Sequence, residues 1–214
     1  MLQIKNLRVI IQSLTILRDI SFSVPEGGII ALVGRNGAGK TTTLRSIMGL
    51  VKTASGSIEL NGTNLLRTPT YHRVLQGVGY MPEDRRLISA ITAEENILLP
   101  TWTVQFGDAK ERLSWIYELM PEVKVLANRP GSQLSGGQQK LVALARAMMA
   151  GRRVLLVDEP FEGVAPALVE RMCEVIRSFQ ENSLSVLIAS SEYQQVEQWA
   201  DDVYVIERGA IMEM

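Results

Sequence analysis

Ile29-Ile30-Ala31-Leu32-Val33 runs directly into Gly34-Arg35-Asn36-Gly37-Ala38-Gly39-Lys40-Thr41, and this junction decides how the chain is read. The five apolar residues are too few for a buried helix and rich in β-branched side chains, so they predict a buried strand. The eight that follow match G-x-x-x-x-G-K-[ST], the phosphate-loop pattern. Glycines at 34, 37 and 39 let backbone N–H groups converge on a polyphosphate without Cβ clashes. A helix is expected over residues 41–50, closed near Gly49, with its N-terminal partial positive charge aimed at the same anion. Lys40 can reach the β- and γ-phosphates of a nucleotide, and the Thr41 hydroxyl can ligate Mg²⁺. Arg35, Asn36, Ala38 and Thr42 complete the candidate cradle. A dinucleotide G-x-G-x-x-G turn is the nearer rival, but its third glycine is missing.

Upstream, Leu2, Ile4, Leu7 and Val9 are apolar at close to period two, residues 16–24 repeat the style, and Pro25-Glu26-Gly27-Gly28 is a turn. Downstream, residues 56–60 and Asn61-Gly62 read as a further strand and turn. The middle, about residues 83–150, is mainly helical. Thr92-Ala93-Glu94-Glu95 spells a capping box, and Asp108 to Glu111 repeats the spacing ahead of a stretch ending before Pro121. Strands at 154–157, 184–189 and 203–206 then alternate with helices at 166–181 and 192–199. Such alternation implies a parallel sheet with helices on its faces. The expected architecture is one α/β domain over residues 1–214. It has a phosphate-loop parallel core, an antiparallel β portion and an inserted helical subdomain over about 84–150.

Two further segments carry chemistry. Val154-Leu155-Leu156-Val157 buries a strand, and Asp158-Glu159 emerges at its end. Asp158 is placed to hold Mg²⁺, and Glu159 to orient and polarise an attacking water. Leu134-Ser135-Gly136-Gly137-Gln138-Gln139 opens a helix. There Ser135 can cap, and the two glycines expose N–H groups to an anion.

Composition narrows the partners. Apolar residues make up 46% of the 214, so a proper core can be buried. Twenty-two Lys and Arg face 23 Asp and Glu, a net charge of −1, which supplies no field to hold nucleic acid or an anionic membrane surface. One cysteine and one histidine exclude an intramolecular disulfide and His- or Cys-cluster metal sites. The first residues are unlike a signal peptide, and no run approaches the roughly 18 apolar residues of a membrane helix. A cytoplasmic protein is expected, with any membrane role reached through a partner.

Phosphate loop, Leu-Ser-Gly-Gly-Gln and a strand ending in Asp-Glu, in that order, resemble the nucleotide-binding subunit of ATP-binding-cassette (ABC) transporters over essentially the whole chain. The resemblance implies ATP and Mg²⁺ as ligands. It implies a head-to-tail dimer in which Ser135, Gly136, Gly137 and Gln138 of one protomer close on the nucleotide held by the other. The second protomer is either the same chain or a homologous cassette. Gly79-Tyr80-Met81-Pro82-Glu83 with Arg85-Arg86, and Asp158-Glu159-Pro160-Phe161-Glu162-Gly163-Val164-Ala165-Pro166, are similar to the branched-chain amino-acid uptake branch, which includes urea and short-amide relatives. Pro82-Glu83-Asp84-Arg85 and Ser190-Ser191-Glu192 also resemble monosaccharide importers, which usually carry two cassettes per chain. Membrane permease subunits are then the direct partners, and an extracytoplasmic solute-binding protein the indirect one. The chain would sit on the cytoplasmic face of the inner (plasma) membrane, and residues 83–105 would face the permease.

Against the family pattern, the Q-loop glutamine position falls on Glu83, which still offers an oxygen toward Mg²⁺ or water. The D-loop aspartate position falls on Ala165. The switch histidine falls on Ser191, which can hydrogen-bond but carries no positive charge. The adenine-stacking aromatic falls near Ile11, forfeiting stacking worth roughly 1–3 kcal/mol. These departures predict weaker nucleotide affinity and slow basal turnover. They leave open a regulatory module that scarcely hydrolyses. A soluble ABC ATPase acting on nucleic acid is the other rival, although no basic extension is visible; a Ras-like GTPase is disfavoured because no N-K-x-D occurs. The sequence ends soon after the Glu207-Arg208-Gly209 turn, where family members often run further. His72 reads as a surface residue and Cys173 as a core thiol. The three tryptophans and the helical methionines read as packing residues, and Arg85-Arg86 and Arg152-Arg153 as solvated pairs.

Overall fold

A computed structural model describes residues 1–103 and 107–212. In chain order these form β1 (Leu2–Ile11), β2 (Leu14–Val24), β3 (Ile29–Val33), α1 (Lys40–Met48), β4 (Ser55–Leu60), β5 (Thr63–Asn64), α2 (Thr70–Arg73) and β6 (Val78–Met81). Four helices follow: α3 (Ala93–Thr103), α4 (Ala109–Leu119), α5 (Pro121–Val125) and α6 (Gly136–Ala150). The chain then runs through β7 (Val154–Asp158), α7 (Pro166–Ser178), β8 (Ser185–Ser190), α8 (Tyr193–Val196), β9 (Asp202–Glu207) and β10 (Ala210–Met212).

Two sheets result. The smaller is antiparallel, in the order β2-β1-β4-β5, and the larger runs β10-β9-β3-β8-β7-β6. From β9 to β6 the larger sheet is parallel, with β10 added antiparallel at the edge. The central strands divide their side chains between two cores with the strict alternation of a pleat. Ile29, Ala31 and Val33 of β3, with Leu155 and Val157 of β7, join the helical core that holds α3 to α7. Ile30, Leu32, Val154 and Leu156 join the second core, built with the antiparallel sheet and α1. Burial on both faces explains why these strands read as continuous apolar runs rather than alternating ones.

Several local expectations meet their physical test. The Thr92 hydroxyl accepts from the Glu95 amide at 3.2 Å, and the Glu95 carboxylate accepts from the Thr92 amide at 2.8 Å, a complete capping box. Asp108 does not cap α4: its carboxylate is taken by Arg152 instead. The helix expected over 166–181 stops at Ser178, continues as a short 3₁₀ turn over Gln180–Asn182, and ends at Ser183 in the left-handed region. The helix expected over 192–199 is regular only over four residues. Trp102 is 59% exposed rather than packed, because α3 turns Ala93 and Ile97 into the core and position 102 falls on another face. Arg85 is not a solvated residue, since it donates to the Gln139 side chain at 3.0 Å. His72 is exposed; Cys173 and Met120, Met148, Met149 and Met172 are buried. Of the segment expected to face the permease, residues 104 and 105 lie outside the described residues.

No helix among the described residues is long and apolar enough to cross a membrane.

Candidate active site

The phosphate loop leaves β3, the two carboxylates leave β7, and Ser191 leaves β8. Since β8 lies between β3 and β7, the three segments meet outside the carboxyl ends of neighbouring parallel strands, where open α/β sheets hold ligands. Asn36, Gly37, Gly39, Lys40, Thr41, Thr42, Glu83 and Glu159 line one cavity of about 350 Å³. Thr41 and Glu83 also line an adjoining cavity of about 190 Å³ with Asp158 and Tyr80. The loop is held close to the sheet: a Cβ on Gly34 would lie 2.2 Å from the Ile206 carbonyl oxygen, so no other residue fits there. Ala38 is buried at the loop's centre, while Arg35 stands exposed at its rim.

Lys40 is 4% exposed and its ammonium has three neighbours. Nζ donates to the Gly34 carbonyl at 2.6 Å and the Arg35 carbonyl at 3.2 Å, and lies 3.1 Å from Oε1 of Glu159. That oxygen accepts no aligned hydrogen bond and faces the ammonium alone. Oε2 of the same carboxylate accepts from the Ser191 amide at 3.0 Å and the Ser191 hydroxyl at 3.2 Å. Glu159 itself has φ +44°, a left-handed backbone that costs a non-glycine residue about 1–2 kcal/mol. Such strain persists where the surroundings over-determine it, commonly at a working site.

Asp158 is fully buried and accepts from the Thr41 hydroxyl at 3.0 Å and the Tyr80 hydroxyl at 3.1 Å. Burial pushes its carboxyl up to about 6, and the negative charges of Glu83 and Glu159 add to this; the two hydroxyl donors oppose it. Burial and Asp158 together push the Tyr80 phenol upward as well. With the folded-state value raised above the unfolded one, the folded chain binds the extra proton between about pH 4 and 6. This contribution to stability is present in acid and is lost as pH rises through about 6. In metal- and nucleotide-free protein, Asp158→Asn is therefore expected to stabilise the fold at pH 7.5 by on the order of 2 kcal/mol, and to change little at pH 4. Urea titrations at the two pH values check this. Equal stability of both proteins at pH 7.5 would show that Asp158 carries no such burden.

Other expected residues lie elsewhere. Ser135 and Gln138 form a capping box at the N-terminus of α6, with the Ser135 hydroxyl accepting from the Gln138 amide at 3.3 Å and Gln138 Oε1 accepting from the Ser135 amide at 3.0 Å. Ser135, Gly136, Gly137 and Gln138 line neither cavity of this protomer. Ile11 ends β1 beside the hairpin to β2, 40% exposed, and lines neither cavity. Two side chains near the site, Tyr80 and Lys140, and one beneath α1, Arg73, escape sequence reading. Tyr80 needed the four-residue strand β6 to be seen first. Lys140 is buried behind Glu159 and lowered by burial. Arg73 is buried beneath α1, donating to the Ser46 carbonyl at 2.9 Å.

The model of the ABC transporter family matches residues 17–162. The chain belongs to that family. It is 33% identical to the high-affinity branched-chain amino acid transport ATP-binding protein BraG of Pseudomonas aeruginosa, over 92% of this chain and 84% of the relative. The probable branched-chain amino acid transport ATP-binding protein LivF of Archaeoglobus fulgidus is 30% identical over 99% and 90%. LptB of Escherichia coli, a lipopolysaccharide export system ATP-binding protein, is 30% identical over 97% and 87%. A solved ATP-binding subunit of an ABC transporter matches with a TM-score of 0.86 at 25% identity, over 99% of this chain and 88% of that one. This ABC subunit is an ATPase that uses ATP with Mg²⁺. The donors in the cleft fit that pair. A hydroxyl and a carboxylate lie side by side, and no group of three or more metal-ligating His, Cys, Asp or Glu side chains occurs among the described residues. Mg²⁺ shared with phosphates takes few protein ligands of this oxygen type.

Proposed function

We propose that this ABC ATPase powers uptake of branched-chain amino acids or similar small solutes through a separate membrane permease. The observation that carries the hydrolytic half is the meeting of Lys40, Glu159 and Ser191 at the mouth of the phosphate loop, with Thr41 against Asp158 behind them. The similarity to BraG and LivF supports the uptake half.

In this reading Lys40 and the loop N–H groups of Gly34 to Thr42 hold the phosphates. Thr41 and Asp158 would hold Mg²⁺, with Glu83 assisting; the ion, when bound, draws charge from the phosphate oxygens. Glu159 takes the proton of the attacking water, and Ser191 fixes its Oε2 by two donors so that Oε1 faces the reacting side. Most of the acceleration comes from positioning and charge rather than covalent chemistry. Ser135 and Gly136 are exposed and Gly137 and Gln138 half-buried, and in this reading the four complete a partner's site in a head-to-tail dimer. Ile11 would pack against the base without stacking.

A second cleft supports the permease contact. Leu50, Val74, Pro82, Arg86 and Pro100 line about 310 Å³ beside Tyr80, so the wall that holds Asp158 also faces this cleft. Leu50 is 49% exposed there. The experiment is reconstitution of the chain with its permease in liposomes, measuring ATP-driven movement of labelled branched-chain amino acids in both directions. Accumulation on the side away from the ATPase would overturn the uptake reading. It would favour the export reading that similarity to LptB suggests.

A further inference from the structure

Among the described residues Lys140 and Arg73 are the buried cations that the hydrolytic scheme above does not use, and Lys140 is the one that reaches the loop of Glu159. It sits on α6, five residues after Ser135, and is 3% exposed. Its Nζ donates to the carbonyl oxygens of Glu159 at 2.9 Å, Pro160 at 3.0 Å and Glu162 at 2.6 Å. An ammonium has three N–H donors, and all three are spent on one loop. No carboxylate among the described residues lies within ion-pair distance of it. Burying a cation is costly, and here the cost is offset by three carbonyl acceptors and by the more distant charges of Glu162, Glu159 and Glu83; an apolar side chain would leave the three carbonyls without a donor.

The loop it holds begins at Glu159, the residue in the left-handed region. The Glu159 amide donates to the Ala189 carbonyl at 2.9 Å, and its carbonyl accepts from Lys140. The strained peptide is thus fixed on both sides, by β8 through its N–H and by α6 through its C=O. Phe161, in the middle of the same loop, is buried and packs edge-on against Trp199.

We infer that Lys140 is a positioning residue for hydrolysis: from the helix that presents Ser135, it holds the loop after β7 so that Glu159 keeps the conformation aiming its carboxylate at the phosphate loop. The helix end meant for the partner's nucleotide and the base for this protomer's own nucleotide are then parts of one rigid unit. The inference rests on Glu159 being the base.

Two measurements test it. In nucleotide-free protein, Lys140→Met should make backbone amides in residues 159–164 exchange with deuterium about tenfold faster, with β7 and the body of α6 unchanged. In Mg-ATP hydrolysis, Lys140→Met should lower kcat roughly 10- to 100-fold while the Kd for ATP stays within about threefold. Lys140→Gln keeps two N–H donors and should lie between it and wild type, about three- to tenfold below the latter. Wild-type exchange and wild-type kcat in folded Lys140→Met overturn the inference, as does a fall in kcat matched by a fall in ATP affinity. Should Lys140→Met fail to fold, a wild-type kcat in Lys140→Gln overturns it. Unchanged turnover in Glu159→Gln would instead overturn the base assignment, leaving the exchange result to speak for the loop.

Discussion

Glu159→Gln is expected to lower Mg-ATP turnover by roughly 10²- to 10⁴-fold, the share a positioned general base supplies. Nucleotide binding should not fall with it. Glutamine keeps the side-chain shape, and its carbonyl oxygen can still accept from the Ser191 amide and hydroxyl, now at 3.0 and 3.2 Å from Oε2. What it loses is the negative charge that faces Lys40 at 3.1 Å. A lysine no longer engaged by a carboxylate is freer to turn to phosphate, so ATP affinity should be equal or higher. The check is steady-state phosphate release by wild type and variant, beside calorimetric titration of each with ATP. Wild-type turnover that climbs faster than linearly with protein concentration would add that two protomers form the working unit. Undiminished turnover in the variant would remove Glu159 as base and direct attention to Glu83, the other carboxylate lining the cavity.

The parts of this site that sequence made legible are those encoded within a dozen consecutive residues. A phosphate loop between an apolar run and a helix, a buried strand ending in two acids, and a serine three residues before a glutamine each carry their geometry locally. The contacts joining them do not. Glu159 meets Ser191 because β7 and β8 are neighbours in a parallel sheet, and Tyr80 meets Asp158 because β6 lies on the other side of β7. Strand β6 is only Val78–Met81, too short for a periodicity to declare itself, and it packs so closely on α6 that a Cβ on Gly79 would lie 2.2 Å from the Ala147 carbonyl. Nothing in its sequence neighbourhood marks Lys140, which is 3% exposed. Only tertiary packing turns it inward. Asp108 had the spacing of a cap, yet Arg152 offered it a two-point partner that a backbone amide could not match. Local grammar therefore located the chemistry, and the order of strands decided which groups meet.

Removing the other half of the Lys40–Glu159 pair should have the second large effect, and on two properties at once. Lys40→Met deletes the cation aimed at the β- and γ-phosphates, so ATP affinity is expected to fall by about 100-fold or more, as for a charged hydrogen-bonding partner lost from a desolvated site. It also leaves the Glu159 carboxylate, 7% exposed, without its counter-ion. Breaking a buried pair by removing one partner costs about 3–5 kcal/mol, because the remaining charge stays desolvated. Here the lower end is expected, since Ser191 still donates twice to Oε2. In a domain of this length about 3 kcal/mol corresponds to a melting temperature lower by roughly 6–12 °C. The double variant Lys40→Met with Glu159→Gln separates the two losses. Neutralising the stranded carboxylate should restore most of the stability and none of the affinity, so the stability changes are non-additive while the binding defect persists. Thermal melts of the four proteins without nucleotide, paired with ATP titrations, read both quantities. If the double variant melts as low as Lys40→Met alone, the pair contributes nothing to the fold and Lys40 is held by the Gly34 and Arg35 carbonyls alone. If it melts near wild type, the resting protein stores its charged base against its own phosphate-binding lysine, and ATP must displace that contact to bind.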